Sequence, residues 1–165
     1  MKNSCFLGKK RGNIRWMITF SLIIIVAWYI STFHYQLLMI QGNSMLPSFQ
    51  HLQIVILDKQ SKEFRHGDVI AFQCDGLDAI LIKRVVASPG DTVYIKDGML
   101  FVNDEISKVY GADVIFEYAG IVEEQLLLAE GQYFTIGDNV VESKDSRYKE
   151  IGIVKSSNIR GKIIE

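Results

Sequence analysis

Ala79-Ile80-Leu81-Ile82-Lys83-Arg84-Val85-Val86-Ala87 is an apolar run of strand length broken by two adjacent cations. Its β-branched content and its boundary at Ser88-Pro89-Gly90-Asp91 read as a buried β-strand ended by a turn. Strand alternation puts Lys83 on one face with Leu81 and Val85, and Arg84 on the other with Ile82 and Val86. On an edge strand either cation reaches solvent along its apolar stem. In a covered strand the lysine is a different object, because burial disfavours the ammonium and can lower its pKa by about 3 to 5 units. A neutral amine beside a hydroxyl is a base for a nucleophile.

The segments around this strand repeat its character. Gln36 to Gln41, Gln53 to Leu57, Asp68 to Gln73, Thr92 to Ile95, Met99 to Val102, Gln132 to Ile136 and Ile159 to Ile164 read as short strands separated by Gly, Pro, Asp and Asn. Lys96-Asp97-Gly98 between two of them is a hairpin turn, since Gly supplies the positive φ of such turns. The expectation is a mostly β domain of short antiparallel strands. Gly120 to Glu130 reads either as one helix or as a pair of strands.

The N-terminal region is of another kind. Lys2, Lys9, Lys10, Arg11 and Arg15 precede a stretch, Trp16 to Leu57, without a single Asp, Glu, Lys or Arg. The chain as a whole holds 18 basic and 19 acidic side chains, so the remainder beyond this basic tail is acidic. WMITFSLIIIVAWYISTF, from Trp16 to Phe33, is almost wholly apolar; at about 1.5 Å per residue it reaches about 27 Å, the thickness of a hydrocarbon core. A basic flank before such a run places the flank in the cytoplasm and the rest of the chain outside, with Trp16, Trp28, Tyr29 and Tyr35 at the interfaces. A cleaved leader would be shorter and would exit through small residues, whereas this exit is Tyr29-Ile30-Ser31-Thr32-Phe33-His34-Tyr35. The reading is a basic cytoplasmic tail (1–15), one retained transmembrane anchor (16–35) and an extracytoplasmic catalytic β domain (36–165), a single-pass protein of the cell membrane.

Cys5 and Cys74 fall on opposite sides of that membrane and form no disulfide framework. No basic cluster outside the tail indicates nucleic acid, no ligand spacing indicates a metal, and no glycine-rich loop indicates a phosphate. His34, His51 and His66 are not arranged for a Ser-His-Asp triad. The hydroxyl for Lys83 is offered by Gln41-Gly42-Asn43-Ser44-Met45-Leu46-Pro47, a bend in which Ser44 Oγ and the Ser44 N–H can face one ligand. Gly137-Asp138-Asn139 followed by Ser143-Lys144-Asp145-Ser146-Arg147 is either a solvated polar loop or a brace for the lysine.

Four segments taken together, Gly42 to Pro47, Gly67 to Phe72, Lys83 to Asp91 and Gly137 to Arg147, resemble in order and spacing the boxes of bacterial type I signal peptidases. The likeness is to the short Gram-positive-like form with one N-terminal anchor. The resemblance implies a membrane-anchored serine endopeptidase that removes signal peptides from exported preproteins with A-x-A-type cleavage sites, without a cofactor. Ser44 would be the nucleophile, its backbone N–H the oxyanion donor, Lys83 the base and Ser143 the hydroxyl that orients the amine. Asp145 with Arg84 or Arg147 would form a supporting ion pair, and Asp138 would shape the loop. Small-residue pockets are expected from the Met39 to Met45 and Leu81 to Val86 segments.

The chain departs from the family pattern at Gly42, where some relatives carry a second oxyanion hydroxyl, at Ser48-Phe49, at Gln50 to Gln53, and at Val140-Val141-Glu142. The alternative from another class is a non-catalytic signal-peptidase-like membrane protein that assists assembly of exported proteins such as pilins. A Ser/Lys self-cleaving repressor relative would share the chemistry but carry a DNA-binding domain in place of the anchor.

Overall fold

The computed structural model describes residues 6–164. Lys2 and Cys5 of the basic tail lie outside the described residues. One helix, α1 (Phe6–Phe33), is followed after a single residue by β1 (Tyr35–Met39). The helix spans both the end of the basic segment and the apolar run, and its stretch from Ile14 to Phe33 is long and apolar enough to cross a membrane.

Beyond the helix the chain is almost entirely strand and turn. β2 (Ile54–Asp58), β3 (Val69–Cys74), β4 (Ala79–Ala87), β5 (Thr92–Lys96), β6 (Met99–Val102), β9 (Gln132–Ile136) and β11 (Ile159–Ile164) match the strands expected from alternation to within one or two residues. Three strands of two residues, β7 (Glu105–Ile106), β8 (Leu126–Leu127) and β10 (Val154–Lys155), were not legible at that length. The Gly120 to Glu130 region is neither a full helix nor a strand pair: it holds one short 3-10 turn, Gly120–Val122, and then β8.

The strands form a seven-stranded sheet, ordered β1-β2-β11-β3-β4-β9-β10, and a four-stranded sheet, ordered β7-β6-β5-β8. Every pairing is antiparallel. Lys96 pairs with Met99 across the two-residue turn Asp97-Gly98, both at positive φ, as the turn chemistry requires. Asn103-Asp104 makes the same kind of turn between β6 and β7.

β4 positions the site. It pairs with β3 from Ala79 to Arg84 and meets β9 only from Arg84 onward, with a bulge between Val85 and Ala87. Ala79 to Lys83 therefore presents one free edge. Val69, Ala71 and Ile82 face a core with Ile40, Met45, Phe49, Val55, Leu57 and Ile163, whereas Ile70, Phe72 and Val85 face a second core with Phe64, Tyr133 and Val154. Two of the residues flanking Ser44 on the chain, Met45 and Phe49, are thus core side chains, each burial contributing about 1.5–3 kcal/mol toward holding that bend on the sheet.

The smaller sheet packs Val93, Ile95, Leu100 and Val102 against Val86, Ala87, Phe134 and Ile136 of the larger one. Asp91 staples the junction: its carboxylate accepts from the Ser88 N–H at 2.7 Å and from Asn103 Nδ2 at 2.7 Å, and pairs with His66 at 2.6 Å. Burial alone would raise its pKa, and these donors outweigh that to hold it below the usual carboxylate value. The Ser88 to Asp91 turn is structural, as its sequence suggests.

Phe134 lies fully buried where the two sheets meet, paired with Ala87. Phe134→Ala is expected to destabilise the β domain by about 3–5 kcal/mol, read from the denaturant midpoint by circular dichroism; a shift under about 1 kcal/mol would show that the two sheets do not share one core.

Candidate active site

The bend after β1 and the free edge of β4 meet at one point. Lys83 Nζ lies 2.5 Å from Ser44 Oγ, and the lysine is 3% exposed. Its pKa is lowered from 10.5 to about 8, first by burial and then by Arg147, against the opposing pull of Asp145 and Asp138. The amine is thus both dry and within reach of a hydroxyl. Lys83 stands opposite Ile70 in the β3–β4 register, which explains the burial: its neighbours are the second core.

Ser44 is held by its backbone. Its carbonyl accepts from the Asn139 N–H at 3.0 Å, and Asn139 Nδ2 donates to the Asn43 carbonyl at 3.3 Å. Gly42, at φ +92°, donates its N–H to His51 Nδ1 at 3.0 Å. Among the described residues the Ser44 N–H donates to no other group, so it is available to a ligand oxygen. The Gly42 N–H is occupied, and Gly42 has no hydroxyl to offer.

Two ion pairs frame the amine. Asp145 pairs with Arg147: Nε donates to Oδ1 at 2.8 Å and Nη2 to Oδ2 at 2.9 Å, with both side chains buried. Arg147 also donates to the Val140 carbonyl at 2.8 Å and lies over the Phe116 ring at 5.5 Å. Arg84 pairs with Asp138 through two bonds of 2.8 and 2.7 Å, and reaches the Gly67 carbonyl and Ser48 Oγ. Asp138 therefore shapes the loop by tying it to β4. Such forks are stronger and more directional than single contacts.

Ser143 differs from its expected placement. It is 1% exposed, yet its Oγ has no hydrogen-bond partner among the described residues and does not hold the lysine amine. The cause is the tight turn in which the Ser143 N–H donates to the Asn139 carbonyl. That turn seats the hydroxyl against Gly137, where a Cβ would approach Ser143 Oγ to 2.3 Å and the Ser44 carbonyl to 2.4 Å. Ser146, by contrast, is fully used, its Oγ accepting from the Thr135 N–H at 3.1 Å.

Sequence reading missed Tyr110, whose buried hydroxyl donates to the Ile136 carbonyl at 3.2 Å just before the Gly137 loop. Burial first, then Asp138 and Asp145, push its pKa well above the ordinary tyrosine value, so it remains a donor. It also missed Ser48 and His51 as partners of Arg84 and Gly42, since nothing local marks contacts to distant segments.

A groove of about 360 Å³ runs up to the Ser44–Lys83 contact, lined by Leu38 to Gln41 and Met45 on one side and Ala79 to Ile82 on the other. Its two walls are the segments expected to form pockets, except that Val85 and Val86 are core. β1 is an edge strand and this half of β4 is unpaired toward β9, so main-chain donors and acceptors border an apolar trough.

A model of the signal peptidase, peptidase S26 family matches residues 13–165, and the chain belongs to that family. Its relatives are type I enzymes. Signal peptidase I V of Bacillus subtilis (strain 168) is 32% identical over 139 residues, 75% of this chain and 80% of that protein. Signal peptidase I of Bacillus licheniformis is 26% identical over 164 residues, 93% of this chain and 88% of that protein. The crystal structure of a signal peptidase I from Enterococcus faecalis V583 has a TM-score of 0.50 at 27% identity and covers 62% of this chain and 97% of that one. The mostly antiparallel β architecture behind an apolar helix is the fold of that family.

Two substitutions test this geometry. Gly137→Ala drives a methyl into the Ser44 carbonyl and should lower kcat/KM by about 100-fold, a loss in line with a displacement of about 1 Å. Lys83→Met should stabilise the fold at pH 7. Unfolded lysine keeps its proton up to about 10.5, and the folded one only to about 8. The wild type therefore bears the full burial cost below pH 8, about 3 kcal/mol, and recovers it as pH rises toward 10.5. Denaturant unfolding of both proteins at pH 7 and 10.5 checks the sign: the Met variant leads at the lower pH and the gap closes at the higher.

Proposed function

We propose that the enzyme cuts signal peptides from exported preproteins at the outer surface of the cell membrane, with Ser44 as nucleophile and Lys83 as general base. The observation that carries this is the 2.5 Å contact between a buried, destabilised amine and a hydroxyl at the end of an apolar groove. Neutral Lys83 takes the Ser44 proton as Oγ attacks the carbonyl carbon before the cut. The oxyanion is met by the Ser44 N–H. The C–N bond breaks, the leaving amine takes the proton from the Lys83 ammonium, and an ester to Ser44 remains. Lys83 then takes a proton from water, the hydroxide adds to the ester carbonyl, and Ser44 leaves with that proton returned to it.

While Lys83 carries the extra proton it needs an acceptor, and the unpartnered, buried Ser143 hydroxyl is the group we assign to it. The Asp145–Arg147 and Asp138–Arg84 pairs hold the loop on which Ser143 and Asn139 sit. The substrate's chain lies extended between the β1 edge and the free half of β4, its small side chains at the first and third positions before the cut turned into the apolar trough. A-x-A sites fit that shallow lining.

Residues 1–15 form the cytoplasmic tail, the apolar segment from Trp16 to the Phe33–Tyr35 junction is the single span, and residues 36–165 work outside. The exposed Leu37, Met39, Ile54, Ile56 and Ile164, on three adjoining strands next to the helix, support lipid contact beside the groove. A non-catalytic assembly role is disfavoured by the dyad itself, since a scaffold gains nothing from burying a lysine against a serine.

Reconstituted full-length enzyme should cleave a preprotein with an A-x-A site, and Ser44→Ala or Lys83→Ala should each lower the rate by about 10³-fold or more without unfolding the domain. The acidic limb of the wild-type pH profile should fall near pH 8, activity rising as the lysine loses its proton. Retained cleavage by either variant rejects the dyad.

A further inference from the structure

Three of the last four carbonyls of α1 are capped by side chains from a distant turn. A helix leaves its final four carbonyls without intrahelical donors, and no basic side chain lies in this last turn to compensate them. Here Ile30 O accepts from the His34 N–H at 2.9 Å. Ser31 O and Thr32 O both accept from Lys59 Nζ, at 3.4 and 2.5 Å, and Phe33 O accepts from Gln60 Nε2 at 2.7 Å. The Lys59 N–H closes the set by donating to His34 O at 2.9 Å. Lys59 is also the second charged residue after the long uncharged stretch that began at Trp16, coming directly after Asp58.

The turn that delivers these donors is itself fixed. Asp58 Oδ1 accepts from the Gln60 N–H at 2.8 Å and Oδ2 from Ser61 Oγ at 2.8 Å. These two bonds hold the Asp58 carboxyl below its ordinary pKa, so the arrangement persists across neutral pH. Apolar packing continues the joint, with Ala27 and Ile30 of the helix bordering the same groove as Leu37, Ile56 and Ile164 of the sheet.

Only His34 separates the helix from β1, and β1 runs directly into the groove wall at Leu38 to Gln41 and on to Ser44. A change of tilt at His34 is therefore transmitted to the groove unless the joint is stiff. We propose that Lys59 and Gln60 are positioning residues that lock the anchor to the catalytic domain and so set the height and orientation of the groove above the bilayer. The inference rests on the anchored-peptidase reading above. A preprotein is held by its own apolar segment in the same bilayer, so its scissile bond arrives at a fixed distance from the membrane. A locked joint meets it there; a loose one spreads the site over many heights and lowers the effective concentration. A short soluble peptide has no such constraint.

The test uses the full chain in proteoliposomes with two substrates, a co-reconstituted preprotein and a short soluble peptide spanning the same cleavage site. Lys59→Ala/Gln60→Ala should lower kcat/KM for the preprotein by about tenfold or more and leave the peptide within about twofold. Lys59→Arg, which keeps a cationic donor, should restore the preprotein rate. A preprotein series with residues inserted between the apolar segment and the cut should show a sharp optimum for the wild type and a broad one for the double variant. Equal loss on both substrates, loss on neither, or an unchanged spacing optimum overturns the proposal. Failure of the wild type to cleave either substrate instead rejects the peptidase reading beneath it.

Discussion

Keeping the Lys83 amine out of water beside the Ser44 hydroxyl is the constraint around which the β domain is arranged. A lysine prefers hydration, and at 3% exposure, opposite Ile70 in the sheet, it has little, so its proton is held less tightly than a free lysine's. Two carboxylates nearby, Asp145 and Asp138, would restore the charge if they were free. Each is instead engaged by its own arginine through a two-bond fork. Their pull on the amine is thereby blunted while their hydrogen bonds are spent on the loop. The amine is left in the state that a base requires.

The two sheets divide the remaining work. The larger one brings Ser44 and Lys83 together, Ser44 from the bend after β1 and Lys83 from the half of β4 that β9 leaves unpaired. The smaller one contributes no groove residue, but its core is continuous with Phe134 and Ile136, which lead into the Gly137 loop. Tyr110, from the connection between β7 and β8, reaches the Ile136 carbonyl and extends that support to the residue before Gly137. At Gly137 the approach is so close that no other side chain fits between the loop and the Ser44 carbonyl. Precision at the dyad comes from backbone contacts of this kind more than from side-chain pairs.

Much of this was legible in the sequence because the decisive signals are local. The apolar run from Ala79 to Ala87 identifies a strand with a cation in it, though not whether that cation is covered, and the Gly42 to Pro47 bend places a serine in a turn. The uncharged run after Arg15 identifies the helix, although its end at Phe33 rather than Tyr35 depends on donors from Lys59 and Gln60, 27 residues or more away. Strands of two residues carry no periodicity, and residues 103–131 are stitched by turns and by the half-buried Tyr110, so that region was opaque. The choice of Arg147 for Asp145, and the seating of Ser143 on Gly137, are set by the turn from Asn139 to Ser143. No spacing rule encodes that turn.

The charge state of one nitrogen is the most direct test. The protein can be labelled with ¹³Cε-lysine, reconstituted in nanodiscs at full length, and the Lys83 resonance assigned by comparison with Lys83→Arg and followed against pH. A midpoint near 8 is the predicted result. A midpoint near the ordinary lysine value of about 10.4 would mean that the amine is solvated and holds its proton as a free lysine does, and would contradict the account.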